Sequence, residues 1–165
     1  MRVLVTYGSP HGGTAGLADM VADSLRRRGA EVDVRPAHSV ERIEQVDLVV
    51  LGGALYAGRW PRDLRRLVRR QRAALSSVPV VAFSSGPLDD SAAEHEIAPT
   101  ASVRRTMDRI GATEHVTFGG RLEPDVKGFP AAAMAKDHAG DWRDPAQVDR
   151  WVDHVLELSS APRQS

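Results

Sequence analysis

The chain reads as an α/β protein, a three-layer sandwich in which a five-stranded parallel sheet carries helices on both faces. Three observations lead to that expectation. Short apolar runs alternate with stretches of helical periodicity through most of the 165 residues, and such alternation is met by parallel strands joined through crossover helices. The runs within Asp47–Gly52 and Val78–Ser84 are almost continuously apolar, as expected of strands covered on both faces. Glycine- and serine-rich loops follow the strands, at the edge where open sheets of this kind bind ligands.

Taken in order, Met1–Thr6 is short, apolar and rich in β-branched residues and predicts the first strand. Ala15–Arg28 places Leu17, Val21, Ser24, Leu25 and Arg28 at helical spacing. Ala30–Arg35 alternates and is half polar, which suits an edge strand ended by Pro36. Val40–Gln45 is a short linker before the third strand. Pro61 suits the first turn of a helix reaching to about Leu75, with Leu64, Leu67, Val68 and Leu75 inward. Its outer face carries Arg62, Arg65, Arg66, Arg69, Arg70 and Arg72, a solvated charge run or an anion site. A helix over Thr100–Ile110 is closed by Gly111, and Thr113–Phe118 is the fifth strand. Gly119–Trp142 is a long segment containing Gly128-Phe129-Pro130. The last helix starts at Asp144 or Pro145 and ends at Leu158, with Val148, Trp151, Val152 and Val155 inward. One domain over residues 1–158 and a disordered tail over 159–165 are expected.

Composition narrows the function. There are no cysteines, which excludes disulfides, iron–sulfur clusters and thiol catalysis. Formal net charge is zero, which argues against dedicated nucleic-acid binding. The six histidines are scattered without ligand spacing, so no metal site is expected. No apolar run has the length of a membrane span, and the N-terminus reads as a strand rather than a signal peptide, so a cytoplasmic location is expected.

Three loops carry the chemistry. Tyr7-Gly8-Ser9-Pro10-His11-Gly12-Gly13-Thr14 joins a strand to a helix N-terminus, where free backbone N–H groups and the helix dipole favour a phosphate. Ser9 and Thr14 add hydroxyl donors. The loop holds no lysine or arginine, so the amides themselves would bind the anion. It is neither a Gly-Lys-Ser/Thr loop nor G-x-G-x-x-G. A bare turn with Thr14 as N-cap is the alternative. The second loop, Gly53-Ala54-Leu55-Tyr56-Ala57-Gly58-Arg59-Trp60, offers an aromatic face through Tyr56 or Trp60. The third, Ser84-Ser85-Gly86-Pro87-Leu88-Asp89-Asp90, offers small polar groups and free amides. A planar ring with a phosphorylated tail, such as flavin mononucleotide (FMN), would fit all three.

The first loop resembles the flavodoxin phosphate loop, Thr/Ser-x-Thr-Gly-x-Thr, with His11 in place of the middle threonine. The whole chain resembles the flavodoxin-domain family that includes the menaquinone-dependent protoporphyrinogen oxidases. The first loop, Gly52–Gly58, Phe118-Gly119-Gly120-Arg121-Leu122 and Asp141-Trp142-Arg143-Asp144 carry the likeness. The resemblance implies a flavodoxin-like fold with strand order 2-1-3-4-5 and bound FMN. It places Ser9, Pro10, His11, Gly12, Gly13 and Thr14 on the phosphate. It places Ala54, Leu55, Tyr56, Ala57, Gly58 and Trp60, with Ser84, Ser85, Gly86, Pro87 and Leu88, beside the ring. It implies an oxidoreductase acting on a quinone or porphyrinogen-like substrate, with no catalytic side chain assigned. The segment Gly120–Gly140 is shorter and less hydrophobic than that family's extension.

Other readings fit less well. Flavodoxins carry a second aromatic in the third loop and a strongly acidic charge; this chain has neither. A flavodoxin-type electron carrier working with a redox protein, and a flavodoxin-fold interaction module without flavin, are the alternatives. A hydrolase would need G-x-S-x-G, but Gly8 and Ser9 are adjacent. A phospho-receiver would need an aspartate at the end of the third strand, where Asp47 instead begins it.

Overall fold

The computed structural model describes residues 1–8, 13–86, 96–122, 140–141 and 143–161. Five strands, β1 (Arg2–Gly8), β2 (Glu31–Pro36), β3 (Leu48–Ala54), β4 (Val80–Ser85) and β5 (Glu114–Phe118), form one parallel sheet of order β2-β1-β3-β4-β5. This is the predicted fold and strand order. β2 lies at the edge, its Glu31, Asp33 and Arg35 exposed and its Val32 and Val34 only half-buried. β3 and β4 lie inside, and their apolar runs are buried on both faces.

Helices α1 (Gly13–Arg27) and α5 (Pro145–Ser160) cover one face of the sheet. Their apolar stripes, Leu17, Val21 and Leu25 with Val148, Val152 and Val155, meet Val3, Val5, Val50 and Phe83. Phe83, Phe118 and Trp151 form an aromatic cluster there, with ring centroids 5.7–6.4 Å apart. The other face carries α2 (Arg62–Arg70), α3 (Arg72–Ser76) and α4 (Ala101–Ile110), together with Ala37, Val40 and Ile43.

β1 runs on to Gly8 and α1 begins at Gly13, each two residues beyond its expected end, and three larger departures from the sequence reading follow. The helix expected over Pro61–Leu75 is broken at Gln71 (φ −104°, ψ 24°). The Gln71 side chain donates to the Glu41 carbonyl (3.1 Å) and accepts from the Ile43 N–H (3.2 Å), which pins the β2–β3 connection at the break. The last helix continues to Ser160, two residues beyond the expected end, and Ser159 and Ser160 donate back to the carbonyls of Val155 and Glu157. A small antiparallel pair, β6 (Arg121–Leu122) with β7 (Gly140–Asp141), is not foreseen by the sequence pattern.

Candidate functional site

The register of the sheet brings the three loops together. Gly8 ends β1 opposite Gly53 of β3, and Ala54 ends β3 opposite Ser85 of β4. Past the strand ends, Leu55 N–H still donates to the Ser85 carbonyl (3.2 Å) and Gly86 N–H to that of Phe118 (2.9 Å). The chain therefore leaves the sheet side by side at β1, β3 and β4, at their C-terminal ends. Ser9, Pro10, His11 and Gly12 of the first loop, and Pro87 and Leu88 of the third, lie outside the described residues.

Thr14 sits in the first turn of α1 and is 1% exposed, and its Oγ1 has no hydrogen-bond partner among the described residues. A buried hydroxyl left unpaired costs about 1–3 kcal/mol, a cost that an acceptor bound at this helix end would remove; Thr6 Oγ1, within β1, is unpaired among the described residues as well. The first turn of α1 carries no acidic side chain to offset the positive end of the helix. A cation also arrives from a distance. The Arg143 guanidinium, just before α5, lies so close against Gly16 that a Cβ there would collide with Nη1. The first loop itself supplies no cation; among the described residues Arg143 reaches the first turn of α1 from the chain just ahead of α5. These features fit a bound phosphate.

The second loop is a tight turn. Tyr56 and Arg59 exchange backbone hydrogen bonds of 2.9 and 3.0 Å. Ala57 (φ 51°) and Gly58 (φ 75°) both occupy the left-handed region, the pattern of a type I′ turn. Thr100 donates to the Gly58 carbonyl (2.6 Å) while capping α4 through the Val103 N–H (3.3 Å). Tyr56 is therefore held on a braced turn, half-buried, at the edge where the loops meet. Burial raises its phenol pKa, so the ring stays neutral.

Trp60 does not present a ring face to that edge. It is 2% exposed and packs against Gly53, where an added Cβ would lie 2.5 Å from the indole. Its Nε1–H donates to Ser84 Oγ (3.0 Å). Two consecutive glycines make this possible, because Gly52 takes the Phe83 ring on the opposite face just as Gly53 takes Trp60. Ser84 is likewise not a loop residue. It is fully buried in β4, and its hydroxyl lies 2.8 Å from His115 Nε2. The sequence reading missed His115 because only the β4–β5 register places it by Ser84. Burial, and then the charge of Arg104, lower the His115 pKa from 6.5 to about 4, so its imidazole is neutral at pH 7.

Among the described residues, no group of three or more histidines and carboxylates could hold a metal ion. Nor is any described helix long and apolar enough to cross a membrane.

Comparison with known proteins agrees with this architecture. Residues 4–131 match the family model described as a flavodoxin domain. Protoporphyrinogen IX dehydrogenase [quinone] of Escherichia coli K12 is 27% identical over 86 residues. That match spans 51% of this chain and 48% of the relative, so about half of the relative's length is represented. Oxidised flavodoxin 1 of Bacillus cereus superposes with a TM-score of 0.59 at 16% identity, covering 95% of this chain and 98% of that one. Rubredoxin oxygen:oxidoreductase of Desulfovibrio gigas superposes at 0.61 and 14% identity, covering 98% of this chain and 37% of its own. At such identities the superpositions speak for the fold, while the family model spans most of the chain. The chain belongs to the flavodoxin-domain family.

Proposed function

We propose that this protein is an FMN-dependent oxidoreductase exchanging electron pairs with a quinone or porphyrinogen-like substrate. The observation that carries the proposal is the buried Thr14 hydroxyl, without a partner among the described residues, at the N-terminus of α1 on the loop-bearing edge of a flavodoxin-domain sheet. The substrate class is suggested by the Escherichia coli relative, whose name specifies protoporphyrinogen IX and a quinone.

FMN, when bound, would supply the two-electron chemistry that no side chain of this cysteine-free chain offers. The chain supplies binding and orientation. Thr14 Oγ1 and the first amides of α1 would donate to its phosphate, for which Ser9 to Gly13 are the further candidates. Tyr56, whose phenol burial keeps protonated, would stack on the ring. The backbone of Ala54–Gly58, Ser85 and Gly86 would border the ring, with Pro87 and Leu88 as further candidates for that border. No aromatic occurs from Ser84 to Asp90, so that stretch would offer no second aromatic cover to the ring. Trp60, Ser84 and His115 tie β3, β4 and β5 together beneath the site. Substrate placement, rather than acid–base chemistry, then governs the rate.

Titration with FMN and riboflavin tests the binding claim. FMN is expected to bind at least about tenfold more tightly, which corresponds to one hydrogen bond to a charged group, and Tyr56→Ala should relieve the quenching of flavin fluorescence. Equal affinities would remove the phosphate argument. Turnover with protoporphyrinogen and a soluble quinone tests the enzyme claim, and deletion of Gly128–Ala135 should spare FMN binding while abolishing turnover. Rapid single-electron exchange with a redox protein, without turnover, would replace the enzyme by an electron carrier.

A further inference from the structure

The arginines of this protein fall into two populations. On the α1, α5 and β2 side they are paired: Arg2 with Glu31, Arg26 with Asp23, Arg27 and Arg28 with Asp149, Arg28 also with Asp153, Arg35 with Asp33 and Arg150 with Asp144. On the opposite face, Arg59 and the helices α2, α3 and α4 together hold ten arginines against only Asp63 and Asp108. None of these ten has a carboxylate partner among the described residues. Among the described residues, the helices of this face therefore carry a marked excess of positive charge.

Six of these ten arginines converge on one groove. Arg59, Arg65, Arg69 and Arg72 line one side and Arg105 and Arg109 the other, around a volume of about 330 Å³. Buried Val68 and Thr106 form its floor, and no described carboxylate lines it. Within each helix the guanidinium groups recur four residues apart, at Arg65 and Arg69 and at Arg105 and Arg109, about 6 Å along the axis. A helix with carboxylates at i and i+4 presents the same spacing. The positive field reaches inward as well, since Arg104 helps hold the His115 imidazole neutral.

We propose that this groove is a docking surface for a protein partner presenting an acidic helix, its carboxylates set against the two arginine rows. A third helix laid between two others is an ordinary mode of recognition. Bidentate guanidinium–carboxylate pairs would give it register. Arg59 ends the Tyr56–Arg59 turn, so a docked partner would lie next to the loop-bearing edge of the sheet.

The test is fluorescence anisotropy with a labelled helical peptide carrying glutamates at i, i+4 and i+7, and a second peptide of identical composition with the glutamates dispersed around the helix. The matched peptide should bind at least about tenfold more tightly than the dispersed one, and raising salt to about 0.5 M should abolish binding. Arg65→Gln with Arg69→Gln, and separately Arg105→Gln with Arg109→Gln, should each lose about tenfold, whereas Arg26→Gln with Arg35→Gln should lose nothing. Two pairs on different helices guard against loss of folding in one, which circular dichroism would reveal. Equal binding of the two peptides, or no effect of either pair, overturns the proposal. So does arginine-dependent binding of inorganic polyphosphate or phosphatidylserine vesicles that exceeds binding of the matched peptide. The assay needs no flavin, so its outcome is separate from that of the FMN titration.

Discussion

Thr14 concentrates the functional argument in one side chain. Its hydroxyl is buried and lacks a partner among the described residues, so under the proposed function it would weaken the flavin-free protein and strengthen a phosphate complex. Thr14→Val keeps the shape and deletes the donor. The flavin-free variant is expected to melt at or above the parent temperature. FMN affinity is expected to fall about ten- to a hundredfold, equivalent to ~1.5–3 kcal/mol. Melting curves with and without FMN would cross between parent and variant; a variant weakened in both states would mean that the hydroxyl has a structural partner. Trp60 shows the limit of reading single residues. Set between Gly58 and Pro61, it looks like a loop aromatic. Its burial depends on the empty side of Gly53, a pairing that no local pattern announces.

The elements were legible wherever their own residues decide them. β3 and β4 are apolar enough to be recognised as buried, and Gly111 closes α4 in the left-handed conformation (φ 69°). Long-range side chains decided the rest. Gln71 breaks the α2–α3 segment because it bonds to residues about 30 positions earlier. Thr100 similarly links two elements, capping α4 and bracing the turn that carries Tyr56. Thr100→Ala should cost about 1–2 kcal/mol by urea unfolding, the loss of an N-cap plus one hydrogen bond. Thr100→Ser, which keeps both bonds, should restore most of it. Equal losses in the two variants would assign the effect to the missing methyl group.

At the scale of the whole molecule, the alternation of strands and helices was enough to predict a parallel sheet with two helical layers, whereas the strand order followed from the family resemblance. The grouping of arginines on one face was only partly visible, because the run around Gln71 shows seven of the ten and only the fold brings Arg104, Arg105 and Arg109 of α4 beside them. Global stability should depend on pH through His115. Its pKa is about 4 in the fold, against the ordinary 6.5, chiefly because of burial. The unfolded chain therefore binds more protons between these values. The contribution is complete above pH 6.5 and is lost as pH falls towards 4, on the order of 3 kcal/mol. Urea unfolding at pH 7 and pH 5 should show the decline, and His115→Gln should flatten it. The β6–β7 pair has a different kind of consequence. It fastens Leu122 opposite Gly140, with 17 residues between them, so the two ends stay at a set separation whatever lies between. Once ends are clasped, doubling such an insert costs only about 0.6 kcal/mol in closure entropy. With Arg121 opposite Asp141 and Leu122 opposite Gly140, the stretch between them can therefore lengthen or shorten at little entropic cost to the sheet that carries it.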